Sequence, residues 1–276
     1  MGLSSDQDHR LESREARRAS AGVVALDPFG ETSNPDEYVP REASEESLLA
    51  LERAVRSGRT AALTAPPGFG KTLFLRLLAK RLAPGFRCLF LPYAAVTSQE
   101  LCAWSLGLLG EDSSEDSRSD FLRFVRREAE RGEVFVLLID DGNSMPLETA
   151  QDLGQLVRES GNRLRVVLAA TDDSISSRVF AALRREIVDV RLSQPMSLLE
   201  TQLYVLTRLQ RACLPNELCE RFNDAALERI HRLSGGVPRR VHDLGRSLLE
   251  DAPTGVGRAW NEERWLGTPL DDLDIP

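Results

Sequence analysis

A lysine and a hydroxyl residue, Lys71 and Thr72, follow the turn Ala65-Pro66-Pro67-Gly68-Phe69-Gly70, and Leu73 continues into an amphipathic segment. A short apolar run ending in Thr64, within a strand expected over 59–64, precedes the turn. Strand, glycine-containing loop and helix, in that order, are the context a phosphate-binding loop needs. Its backbone N–H groups can converge on a β-phosphate, and the helix N-terminus adds partial positive charge. Lys71 would reach the β- and γ-phosphates, and Thr72 would ligate Mg²⁺. Such loops ordinarily open on glycine. Here the place is taken by Ala65, which tolerates most loop conformations except positive φ. The competing reading is an ordinary strand–helix turn that happens to contain Gly-Lys-Thr.

A second motif weighs against that alternative. Residues 134–139, VFVLLI, are apolar without alternation, as suits a central strand buried on both faces of a parallel sheet. The run ends in Asp140 and Asp141. In phosphate-loop ATPases an acid at this place holds Mg²⁺, often through water, which assigns Asp140 to the metal. The next acid is ordinarily glutamate and polarises the attacking water; Asp141 is one methylene shorter. On its own the segment could be a buried strand with an acidic turn. Its place about sixty residues beyond Lys71-Thr72, with strands and helices between, favours the chemical reading.

These residues need a scaffold, and the chain is patterned for one. A helix is expected over 45–57, then strand 59–64, helix 72–82, strand 87–92, and helices 98–109 and 121–131. The acid-bearing strand follows, then helix 147–159, strand 164–170, helix 176–185 and a short strand 187–192. This alternation implies an α/β fold with a parallel sheet covered by helices on both faces. After Pro195 the strands stop, and 198–212, 224–233 and 238–250 read as three helices of a small lid domain, Pro238 suiting a first turn. The expected division is a mobile tail over 1–24, a nucleotide-binding domain over 25–194, a helical lid over 195–250 and a tail over 251–276. Residues 27–41 are rich in turn formers and read as irregular chain. The acidic stretch 111–120 reads as a solvated connection.

Composition narrows the function classes. The 276 residues are 42% hydrophobic, enough for one α/β domain and a smaller one. A formal net charge of −8 argues against wholesale attraction to nucleic acid. The cysteines, Cys88, Cys102, Cys213 and Cys219, lack Cys-x-x-Cys spacing and paired histidines, so a zinc site is not expected. No run approaches the roughly twenty apolar residues needed to span a bilayer. The N-terminus has no apolar signal core, and a cytoplasmic location is expected.

Together these segments resemble the AAA+ ATPases. Within them the chain looks like the ATPase domain of the general secretion pathway protein A (ExeA) type, itself similar to the MuB/TniB/TnsC transposition ATPases. The likeness rests on DPFGETSNPDEYV at 27–39, ALTAPPGFGKT at 62–72, LLIDD at 137–141, QPMSLLETQLYVLTRLQRA at 194–212 and SGGVPRRVHDL at 234–244. It implies a P-loop NTPase fold and binding of ATP with Mg²⁺ by residues 65–73. Thr171 takes the sensor-1 place, with a strand-terminal hydroxyl capping Asp172-Asp173 as the alternative. Arg239 takes the sensor-2 place, where a lid arginine reaches the γ-phosphate; the alternative is a solvated helix N-terminus. Phe29 would lie near the adenine or serve as a core anchor. A finger arginine for the neighbouring subunit would fall at Glu186, so Arg185 or Arg184 takes that role, or none does.

Three departures, Ala65, Asp141 and Glu186, bear on turnover more than on binding. The resemblance therefore implies an ATPase with slow hydrolysis, acting as a nucleotide-gated switch or remodeller. It would assemble with ATP into a homo-oligomeric ring or helix and act on a protein partner the sequence does not name. One alternative is an ATP-dependent DNA-binding regulator of the transposition type, kept open by the local basic stretch Arg229, His231, Arg232, Arg239, Arg240, His242 and Arg246, which otherwise reads as a solvated lid surface. Another is a pseudo-ATPase scaffold.

Overall fold

The structure, a computed structural model, describes residues 27–30, 32–183 and 187–250. The tails expected over 1–24 and 251–276 lie outside the described residues. Five strands form one parallel sheet: β1 (Ala61–Thr64), β2 (Phe86–Leu91), β3 (Val134–Ile139), β4 (Leu164–Ala170) and β5 (Val188–Arg191). Their order is β2-β3-β4-β1-β5, so β1 and β3 flank β4. The α/β part contributes helices α1 (Glu42–Arg56), α2 (Lys71–Leu82), α3 (Ser98–Leu108), α4 (Ser117–Glu130), α5 (Leu147–Glu159) and α6 (Ser174–Leu183). The lid contributes α7 (Leu198–Arg211), the single turn α8 (Asn216–Cys219), α9 (Asp224–Ser234) and α10 (Pro238–Glu250).

Unbroken apolar strands force cover on both faces, because side chains alternate along a strand. Phe135, Leu137 and Ile139 of β3 join Leu164, Val166 and Leu168 of β4 in a core beneath α3, α4, α5 and α6. Val136 and Leu138 point the other way, with Val167 and Ala169, into a second core built with α1 and α2. Each fully buried leucine or phenylalanine contributes about 1.5–3 kcal/mol, so the sheet is well supported from both sides. The lid has a third core of its own, Phe29, Met196, Val205, Leu209, Phe222, Leu227, Ile230, Val241 and Leu244.

The α/β alternation and the helical lid match the expected fold, with shifts at element ends. Helix α4 starts inside the stretch read as a solvated loop, because the Asp116 side chain caps it by accepting from Ser119 N at 3.1 Å. Asp120, read as solvated, is 9% exposed and pairs with Arg123. The short turn α8 has too few residues to show a period. The segment after Asp27 is irregular, as its turn formers require, apart from a 3-10 turn at Pro35–Glu37 capped by Asn34.

Candidate functional site

The site is built where β1 and β3 end. Ala65 is fully buried and its N–H bonds to Ala170 O at 3.1 Å, which anchors the loop to the neighbouring strand. The alanine thus sits where the chain is still strand-like, so glycine's freedom is not needed there. It is needed at Gly68, where φ is +83° and an added Cβ would lie 2.9 Å from Cβ of Arg239. Phe69 is buried in the α1/α2 core and holds the tip of the loop down. The Lys71 ammonium donates to Ala65 O at 3.1 Å, back across the loop mouth. Burial lowers the Lys71 pKa, opposed by the nearby Asp140 and Asp141 carboxylates and reinforced by the Arg239 charge.

The two acids diverge. The Thr72 hydroxyl donates to Asp140 Oδ2 at 2.5 Å, so the hydroxyl and the carboxylate assigned to Mg²⁺ already touch. Asp140 N bonds to Leu91 O at 2.8 Å, which fixes the strand end. Asp141 is exposed and turns into the left-handed region with φ 51°, its N–H donating to the other Asp140 oxygen at 3.0 Å. Among the described residues no cluster of three or more His, Cys, Asp or Glu could hold a metal by itself. One hydroxyl and one carboxylate do fit Mg²⁺, which takes few protein ligands and completes its shell with phosphate and water oxygens.

Thr171 follows the strand residue that anchors the loop, and its hydroxyl donates to Asp173 Oδ2 at 2.5 Å. Asp173 in turn caps α6, accepting from Ser176 N at 2.7 Å. Thr171 therefore lies beside the loop with its hydroxyl engaged in the capping contact that was the alternative to a sensor role. Arg185, with Arg184 and Glu186, lies outside the described residues.

From the lid, Arg239 N donates to Gly68 O at 3.2 Å. The start of α10 thus rests directly on the phosphate loop. Its approach depends on Gly236, at φ +73°, whose Cβ would lie 2.1 Å from Met196 O. Between loop and lid runs a cleft of about 470 Å³, lined on one side by Gly68 to Phe74 and on the other by Tyr204, Arg208, Arg239 and His242.

Sequence reasoning missed the third wall. The chain from Asp27 to Arg41 straps the lid to the α/β part and closes the cleft through Tyr38, Val39 and Arg41. At the lid end, Phe29 packs on Phe222 with ring centres 5.6 Å apart, and Arg246 donates to Phe29 O at 2.7 Å. Phe29 is therefore a lid core anchor and does not line the cleft. Arg208, 4% exposed, donates to Pro28 O at 2.6 Å and also faces Glu37 at 3.5 Å. At the other end Tyr38 packs edge-on to Phe74 of α2, and burial, then the Glu45 charge, push its phenol up to about 12. Tyr204 stacks on His242, their polar atoms 2.6 Å apart. The Arg and Tyr of LYVLTRLQR were visible in sequence, but nothing local marked them as buried or cleft-lining.

Residues 55–179 match the family described as AAA domain. No curated protein matches the sequence. Among solved structures, the Aeropyrum pernix ORC2 protein in ADPNP-ADP complexes is similar with a TM-score of 0.56 at 14% identity, over 88% of this chain and 75% of that one. The Aeropyrum pernix ORC1 protein in complex with DNA is similar with a TM-score of 0.53 at 15% identity, over 79% of this chain. This chain spans only 61% of that ORC1 protein's length. At such identities the likeness is one of fold.

Proposed function

With the P-loop AAA+ fold as its frame, we propose that this chain binds ATP with Mg²⁺ in the cleft and works as a nucleotide-gated switch. The observation that carries the reading is the joining of loop and lid: Lys71, Thr72 and Asp140 lie on one side, and Arg239 rests on Gly68 from the other. Loop N–H groups and Lys71 bind and orient the phosphates. Thr72 and Asp140 would hold Mg²⁺, and the ion would supply charge neutralisation at the phosphates. Asp141 orients water from an exposed, shortened side chain, and Thr171 reaches the same edge once its hydroxyl leaves Asp173. Both features favour slow turnover. Arg239 senses the terminal phosphate from the lid.

ATP bound in this way makes different contacts in closed and open lid positions, which is what shifts an assembly equilibrium. Homo-oligomerisation with ATP, with Arg185 or Arg184 completing a neighbour's site, is the resulting mode of action. The partner is a protein of the secretion type suggested by the sequence resemblance. Calorimetry with MgATP tests the core of this reading. Lys71→Ala removes a charge-assisted hydrogen bond and is expected to lower ATP affinity on the order of 100-fold with an unchanged melting temperature. Equal affinity in the variant would refute the assignment of the loop. A rate that rises only with duplex DNA would favour the DNA-regulator alternative over the protein-remodelling one.

A further inference from the structure

Helix α7 has two apolar faces. One, around Thr201, Val205 and Leu209, is buried in the lid. The other carries Leu199, Leu203 and Leu206, which are 64%, 56% and 47% exposed. Intervals of four and three residues place these leucines in one row, on the side of the helix away from Val205. Single exposed leucines are ordinary, but a row of three on a helix already apolar on its inner side marks a surface that is covered in use.

The chain itself carries a suitable cover. Two of its three tryptophans, Trp260 and Trp265, lie beyond Glu250, with Leu266, Leu270, Leu273 and Ile275. The route is short. Helices α7 and α10 lie side by side and run the same way: Met196 N bonds to Gly236 O, Tyr204 meets His242, and Arg208 and Arg246 both donate to the backbone of Pro28 and Phe29. Helix α10 therefore ends at Glu250 near the C-terminal end of α7. At 1.5 Å per residue the leucine row lies about 8–18 Å back along α7 from Arg211. The 26 residues after Glu250 can span up to about 85 Å.

We infer that residues 251–276 fold back within the same chain onto α7, setting their tryptophans against Leu199, Leu203 and Leu206. The segment then shields the outer face of the lid and competes with any second chain for it.

The test uses the full chain carrying Trp104→Phe, so that emission reports Trp260 and Trp265 alone, and needs no nucleotide. Docking predicts blue-shifted emission, weak acrylamide quenching and no dependence on protein concentration. Leu203→Glu is expected to shift the emission to the red and raise quenching, whereas Leu108→Glu, at an exposed site in α3, leaves both unchanged. Circular dichroism checks the fold. If Leu203→Glu loses helix, the milder Leu206→Gln takes its place with the same expectation. Water-like emission in the unsubstituted row would overturn the proposal. So would indifference to both row variants, or a signal that appears only as the mass doubles, which would make a second copy the cover.

Discussion

The phosphate-loop wall of the cleft rests on cores that continue through the sheet, whereas the lid wall rests on a core of its own. On the first wall Ala65, Phe69 and the end of β3 are locked by buried packing, and Thr72 and Asp140 meet directly. The lid reaches that wall through Val237, which packs on the α1/α2 core, and through hydrogen bonds such as Arg239 N to Gly68 O. The strap from Asp27 to Arg41 adds contacts at both ends. A typical hydrogen bond contributes only about 0.5–1.5 kcal/mol net, so the lid's position costs little to change compared with the loop's shape. The groups proposed to hold phosphate and Mg²⁺ are preset, and Arg239, proposed as the sensing group, is adjustable. A switch needs that division: a binding wall that does not deform, and a second wall whose placement a ligand can bias.

The largest expected effect breaks the lid alone. Phe29→Ala empties the centre of the lid core and should cost about 3–5 kcal/mol there. Because the sheet cores do not include Phe29, thermal unfolding should split into an early lid transition and a later α/β transition. A single transition displaced as a whole would mean the two walls are one cooperative unit.

Next is a change on the rigid wall that should leave stability alone. Asp141→Asn keeps the exposed turn but removes the carboxylate proposed to orient water. Turnover should fall on the order of 100-fold, with ATP affinity and melting temperature unchanged. An unchanged rate would remove Asp141 from the chemistry, and a shifted melting temperature would show that it supports the turn instead.

The smallest effect concerns the strap. Its Tyr38 phenol is raised from 10.0 to about 12 by burial and by Glu45. A raised folded-state value means the native chain keeps its proton after the unfolded chain has lost it. Stability from this group is therefore full below pH 10 and is lost progressively between pH 10 and about 12. Tyr38→Phe should flatten the fall of the urea midpoint across that window, and parallel curves for both proteins would place Tyr38 outside the folded-state ionic balance.

The rigid wall was legible in the sequence because its signals are local. The Gly68–Gly70–Lys71–Thr72 spacing and the apolar run into Asp140 sit on consecutive residues, and helix α5, strand β4 and helix α10 begin and end where their periodicity says. The strap was not legible. Arg208 contacts Pro28 across 180 positions, and an arginine in an amphipathic helix ordinarily reads as solvated. Phe29 offered two readings that sequence could not separate, since packing against Phe222 leaves no local pattern. Thr171 was placed correctly at the strand end, but its partner, Asp173, depends on how α6 is capped. The arginine expected to serve a neighbouring subunit, Arg185, falls outside the described residues.

The most direct test of nucleotide gating is molar mass by light scattering, with Mg²⁺, with and without a non-hydrolysable ATP analogue at saturating concentration. A monomer or weak oligomer is expected without the analogue and a larger assembly with it, with a weakened response in Arg239→Ala, whose side chain is proposed to tie the lid to the nucleotide. The same mass in both conditions, with binding confirmed by calorimetry, would contradict it.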